Sequence, residues 1–200
     1  MNKGERHRIT HVEVTIPADH ERFSQLGVIA DFQVAGDFTL PTTEHRDHYK
    51  HLIGDRYENF VSVKSIRDQH AEDLTTFSSD WDVSPLNPFL GIEHATNRGR
   101  ESVDVKTAIE MYTINPAYAM RQEDKTGSLA VGKEADFIVI DKDILKALEE
   151  GEKISETFVL RTVFKGRPIF SSENFKRAVV DVCKHLNFGY QYIWAEVCMD

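Results

Sequence analysis

The feature that most limits what this chain can fold into is a strand–helix–strand succession near its start. His7–Val14 alternates, with Ile9, His11 and Glu13 on one side and Thr10, Val12 and Val14 on the other, which is the period of a strand. The segment ends at Thr15-Ile16-Pro17, Asp19 is placed to cap a short helix carrying Phe23 and Leu26 on one face, and Gly27 closes that helix. Val28-Ile29-Ala30-Asp31-Phe32-Gln33 follows as a second strand. Strands joined through a helix run parallel, with the helix as crossover. The expected class is α/β.

Further along, Gly36–Arg56 is polar and lacks a periodic apolar face, so it reads as a loop. Tyr57–Gln69 is spaced loosely for a helix, and Leu74-Thr75-Thr76-Phe77 makes a third short strand. After a loop punctuated by Pro85 and Pro88, Phe89–Thr96 is expected to be helical. Ser102–Met120 is the best-patterned helix, with Ser102 as its cap, a stripe of Val105, Ala108, Ile109 and Tyr112, and Pro116 set to kink or end it. Beyond Gly127 the regime changes. Ser128–Ala130, Ala135–Ile140, Phe158–Phe164 and Pro168–Phe170 read as strands of an antiparallel layer, turning at Gly132 and Lys165-Gly166, with a short helix over Asp143–Glu150. Ser171–Asp200 is an aromatic-rich tail of separate character.

Composition then removes several function classes. With 24 basic and 33 acidic residues the net charge is −9, which disfavours nucleic acid and anionic membrane as principal partners. The longest apolar runs, such as Phe137-Ile138-Val139-Ile140, are far short of the ~20 residues of a membrane span. The first residues are polar and carry no signal-peptide core, and the two cysteines, Cys183 and Cys198, form no metal-type pair. A reducing, cytoplasmic setting is the expectation.

Few residues are placed for chemistry. Asp80 follows a short apolar strand and precedes a proline-rich loop, where αβ barrels hold catalytic groups. Its carboxylate can ligate a metal or take a proton from water, and the plainer alternative is that Ser79 or Asp80 caps the next turn. His11 has the same character at the end of the first strand, and neutral imidazole is a good zinc ligand. The alternative there is an ordinary core or surface histidine. His45, His48 and His51 invite a second metal reading, but spacings of three in a polar segment favour a solvated loop. No nucleophile elbow, phosphate loop or dinucleotide fingerprint is present.

The stretch Gly127-Ser128-Leu129-Ala130-Val131-Gly132-Lys133-Glu134-Ala135-Asp136-Phe137-Ile138-Val139-Ile140-Asp141 resembles a signature of the amidohydrolase superfamily. Three further segments narrow the resemblance to the subgroup called amidohydrolase family 3, or YtcJ-like. They are His7–His11, Ser78-Ser79-Asp80-Trp81-Asp82-Val83-Ser84-Pro85-Leu86-Asn87-Pro88 and Ala108–Asn115. In order and spacing they resemble the C-terminal part of that family, over roughly residues 6–170.

The resemblance implies a fold and a role for each candidate. The strand ending at His11 is similar to the sixth strand of a TIM-type (β/α)8 barrel, Val28–Gln33 to the seventh and Leu74–Asp80 to the eighth. His11 then stands as a metal ligand, and Asp80 as a metal ligand and general acid/base. The expected cofactor is a divalent metal, with zinc suited to an N/O donor set. The implied reaction is hydrolysis of a non-peptide amide C–N bond in a small molecule, Asp80 shuttling a proton to the leaving nitrogen. There are departures too. Thr10 stands where the family usually has Glu, Gln33-Val34-Ala35-Gly36 where it commonly has Gln-Pro-x-His, and Ser78 where it usually has Gly. The first-strand His-x-His pair and the middle-strand ligands have no counterpart in this sequence.

A complete barrel takes ~250 residues. The expectation is therefore the C-terminal part of such a barrel, about three strands over residues 1–120, with part of a small β-sandwich over 121–170 and a tail over 171–200. The remaining ligands would come from outside the chain, and the isolated chain would turn over little. A different class of function stays open: a non-catalytic truncated paralogue that homo-oligomerises or docks on a partner, because three parallel strands leave an exposed edge.

Overall fold

β1 (Arg8–Thr10), β2 (Ile29–Phe32) and β3 (Thr75–Phe77) are short strands of one parallel sheet, in the order β1-β2-β3. The computed structural model describes residues 5–36, 43–69, 71–173 and 175, with side chains described from residue 47 in the helix that begins at Thr43. Register pairs Thr10 with Asp31 and Asp31 with Thr76. β1 is shorter than the alternation predicts, because His11 and Val12 adopt left-handed φ values of 74° and 49° that end the strand.

The described residues fall into two compact units. One runs through Lys133 and includes Asp143–Thr157; the other comprises Glu134–Lys142 and the chain from Phe158. In the first, α1 (Pro17–Leu26) starts two residues before the expected cap, with Pro17 in its first turn, and stops at Gly27 in the left-handed region. α2 (Thr43–Ile53) corrects the expected loop. No glycine or proline interrupts that stretch, and Tyr49 stacks on Phe60 at 5.3 Å, which anchors a helix too polar to announce itself by periodicity. A 3-10 turn (Gly54–Asn59) and α3 (Val63–Arg67) take the place of the expected loose helix.

α4 (Pro88–Thr96) is capped by the Asn87 side chain, which accepts from Phe89 N. The expected helix over Ser102–Met120 is two: α5 (Val105–Tyr112) and α6 (Ile114–Ala119). Pro116 has no N–H to offer the Tyr112 carbonyl, so the ladder breaks at Thr113 and restarts with the proline in a first turn. Asp104, not Ser102, is the cap: its Oδ1 and Oδ2 accept from Thr107 N and Oγ1. The Ser102 hydroxyl instead accepts from Arg98 N.

α5 and α6 pack on one face of the sheet, where Phe77 meets Tyr112 at 5.2 Å, and Phe32, Ile66 and Met111 are fully buried. The opposite face carries Arg8, Thr10, Asp31, Gln33, Thr76 and Ser78 by alternation, with Ile29 opposite Arg8 in the register. Helices ring the outside of an αβ barrel, so this polar face is the one a closed barrel turns inward.

In the second unit, β4 (Phe137–Ile140), β5 (Val159–Phe164) and β6 (Arg167–Ser171) form an antiparallel sheet in that order. Lys165 and Gly166 make the expected tight turn, both with positive φ. Ser128–Ala130 forms no strand: Leu129 and Val131 are exposed, and Lys133 Nζ ties the segment down through Thr126 O and Ser128 Oγ. Asp143–Glu150 is a run of hydrogen-bonded turns rather than the expected helix. Among the described residues no helix is long and apolar enough to cross a membrane.

Candidate functional site

Parallel strands present all their C-terminal ends at one rim, and both sequence-predicted residues sit there. His11 is the first residue past β1, and Asp80 lies three residues past β3. β1 and β3 flank β2, so the two strands are about 9–10 Å apart. The side chains nonetheless reach across the end of β2, bringing His11 Nε2 to 3.8 Å from Asp80 Oδ2. Both residues adopt left-handed backbone, with φ of 74° and 51°. Such a conformation costs a non-glycine residue about 1–3 kcal/mol and tends to accumulate at functional sites. Turn bonds hold it: Val12 N donates to Thr10 O, and Val83 N and Ser84 N donate to Asp80 O.

Glu13 faces the other side of the imidazole, its Oε1 3.7 Å from Nδ1. Because Glu13 and Asp80 address opposite ring nitrogens, His11 and these two carboxylates cannot converge on one ion. Glu13 and Asp80 thus stand on opposite sides of the imidazole, each beyond hydrogen-bond distance. His11 and Asp80 are each partly open, at 46% and 39% side-chain exposure, so a ligand can reach both.

Beneath this rim lies a network that the sequence reading missed. Asp31, in the central strand, is only 2% exposed. Thr76 Oγ1 donates to its Oδ1 at 3.0 Å, and Ser78 Oγ and Gln33 Nε2 donate to its Oδ2 at 3.1 and 3.5 Å. Gln33 Nε2 also donates to Ser78 Oγ at 2.7 Å, and the Arg8 guanidinium stands 3.8 Å from Oδ2. Burial pushes the Asp31 carboxyl above its ordinary range, opposed by the Thr76 and Ser78 hydroxyls and by the charges of Arg8 and His11. The available signal was an acidic residue in mid-strand, facing hydroxyl residues two apart at the end of the third strand.

The remaining candidates are not drawn in. Asp82 is exposed on the loop after Asp80. His48 and His51 lie on α2, with His48 edge-on to Tyr49 at 5.2 Å; the His45 side chain lies outside the described residues. Among the described residues no group of three or more His, Cys, Asp and Glu is arranged to hold a metal ion. Most of the tail, Ser171–Asp200, also lies outside them.

Comparison with known proteins agrees with this architecture. The amidohydrolase family matches over residues 1–170, most of the chain. This chain belongs to the amidohydrolase family. A relative from Arabidopsis thaliana, Protein LONG AFTER FAR-RED 3, is 27% identical over 84% of this chain and 29% of its own length. The putative amidohydrolase YtcJ of Bacillus subtilis is 28% identical over 70% of this chain and 28% of its own. A solved adenosine deaminase from Xanthomonas campestris with bound zinc shares the fold, with a TM-score of 0.61 at 16% identity, over 90% of this chain and 41% of that one. The chain thus spans less than a third of the two relatives.

Proposed function

We propose that His11 and Asp80 are two ligands of a metal-dependent amidohydrolase centre that hydrolyses a non-peptide C–N bond in a small amide-type substrate. The observation that carries this reading is the 3.8 Å approach of an imidazole nitrogen and a carboxylate oxygen across the C-terminal rim of a parallel sheet. The donors fit a divalent ion, with zinc the best match to one nitrogen and one oxygen; ligand bonds of about 2.0–2.2 Å let a single ion span such a gap. Catalytic zinc usually takes three protein ligands, and no third stands beside this pair among the described residues, so the reading assigns the rest of the set to residues outside this chain. Zinc in the Xanthomonas relative supports the choice of metal. Bound there, the ion supplies Lewis acidity, polarising a carbonyl and acidifying water.

The chain's own groups divide the remaining work. His11 presents its ring between Glu13 and Asp80, with Nε2 toward Asp80. Oδ2 of Asp80 faces His11, which leaves Oδ1 to take a proton from the attacking water and return it to the leaving nitrogen. The test is amide hydrolysis by the complete polypeptide: Asp80→Asn should lower kcat by at least about 10²–10⁴, the usual contribution of general acid–base catalysis, because it removes a metal ligand together with the proton shuttle. Activity that survives the substitution rejects the assignment. An immunoblot of source extract first establishes that polypeptide, which this reading places well above 22.9 kDa.

A second reading, an inactive shortened relative that homo-oligomerises, is favoured by the edge of the sheet. All three residues of β1 are exposed, beside a groove of about 540 Å³ that Ile9, Ile16, Phe23 and Leu26 line together with the charged Asp19, Arg22 and Arg56. A native band at 22.9 kDa with a dimeric elution volume supports it, and a cooperatively folded monomer removes its physical motive.

A further inference from the structure

Between His11 and Asp80 the central strand buries a carboxylate that neither of them touches. Taking an ionised group out of water is expensive, and an apolar side chain at residue 31 would fill the space at lower cost. Asp31 is kept there by three donors and a nearby guanidinium, and those donors are not scattered. Thr76 and Ser78 both come from the strand that leads to Asp80.

Ser78 is the last point at which that strand is tied to the sheet: its N–H donates to Phe32 O at 3.0 Å. Its hydroxyl accepts from Gln33 Nε2 and spends its single proton on Asp31 Oδ2, so the rotor is fixed from both sides. Two residues later the backbone enters the left-handed turn that aims Asp80 at His11. A turn of that kind holds only when the residues before it are pinned. The same carboxylate lies opposite Thr10 in the register, one residue before His11. It is therefore the one acidic group of the described sheet set between both arms of the rim.

We propose that Asp31 is a positioning residue for Asp80, acting through the Ser78 hydroxyl, and that this buried relay sets the metal affinity of the rim. The proposal rests on the reading of His11 and Asp80 as ligands. Outer partners of metal ligands typically change affinity by about 10–100-fold when removed, so a tenfold effect is the expected scale. Ser78 is half-buried, so alanine there removes the hydroxyl with little change in side-chain volume. Threonine restores the hydroxyl.

The experiment is a Zn²⁺ titration of the 200-residue chain, read from the His11 imidazole resonances by NMR, which follows weak binding and needs no turnover. His11→Gln identifies the signal. Wild type and Ser78→Thr should titrate alike, Ser78→Ala and Asp31→Asn should need about tenfold more zinc, and Asp80→Asn should lose the transition. If Ser78→Ala and Asp31→Asn titrate like wild type while Asp80→Asn does not, the relay is refuted and the site stands. If Asp80→Asn titrates like wild type, or zinc leaves the His11 signals of wild type unmoved, the site reading fails and takes the relay with it.

Discussion

Gly91 sits inside α4 where a single methyl group meets the sheet indirectly. A Cβ at this position falls 1.9 Å from Tyr112 Oη and 2.8 Å from Cζ, against ordinary carbon contacts of about 3.5–4 Å. Tyr112 must therefore move by more than an ångström, and it leans on Phe77, the last residue of β3. Two effects compete in Gly91→Ala. Helix propensity favours alanine by about 1 kcal/mol. Overpacking costs about 1–3 kcal/mol, and disturbing an aromatic pair costs a further 0.5–1.5 kcal/mol or so. The clash wins, with a net loss of about 0.5–3.5 kcal/mol and a fall in Tm of roughly 1–14 °C for a domain of this size. Thermal denaturation followed by circular dichroism measures it. The double variant Gly91→Ala with Tyr112→Phe removes the closest atom, so the glycine substitution should cost at least about 1 kcal/mol less in that background. If Gly91→Ala is as stable as wild type or more so, propensity alone governs the site, and the account of how α4 and α5 support β3 is wrong.

Other consequences follow from buried polar groups. Burial raises the Asp31 pKa above its ordinary 3.8, so the folded chain holds this proton to higher pH than the unfolded chain does. That part of stability is complete below the ordinary value and is lost as pH rises through the raised one, with Arg8 and His11 the charged groups facing the carboxyl. The Tm of Asp31→Asn relative to wild type should therefore increase between pH 4 and 7; a flat or falling difference contradicts the burial. Asn115 Nδ2 donates to Glu72 O and Thr75 O, both at 2.8 Å, tying α6 to the start of β3. Asn115→Ala should cost about 1–3 kcal/mol in urea denaturation, the penalty for stranding buried partners. The Glu101 carboxylate, 6% exposed, accepts from Ser65 N and Oγ at 2.9 and 2.6 Å. Glu101→Ala should lose about 2–3 kcal/mol by the same assay, and an unchanged midpoint contradicts the capping of α3.

The elements that sequence reading located were those with local chemistry to mark them. Gly27 takes the left-handed turn after α1, Asn87 and Pro88 open α4, and Lys165-Gly166 fits a two-residue hairpin. What escaped depends on tertiary partners. α2 is anchored where Tyr49 stacks on Phe60, and nothing in its polar sequence shows that Tyr49 will find that ring. Ser128–Ala130 has strand-like residues but no neighbouring strand to pair with among the described residues. At the rim, His11 and Asp80 were legible as residues that end strands, yet their approach across β2 follows from two left-handed turns that no pattern of residue types encodes. Asp31 was overlooked for the opposite reason. It lies in mid-strand, and only the register, Thr10 to Asp31 to Thr76, shows that polar residues from three strands share one face.

The central claim is that His11 and Asp80 grip the same ion, with the rest of the site supplied from beyond this chain. The most direct measurement is the metal content of the complete polypeptide after exhaustive dialysis, taken for wild type, His11→Ala and Asp80→Ala. The account predicts that wild type retains stoichiometric divalent metal, and that each substitution, made singly, lowers retained metal by most of that amount while the protein stays folded. Full metal retention by both variants would contradict it.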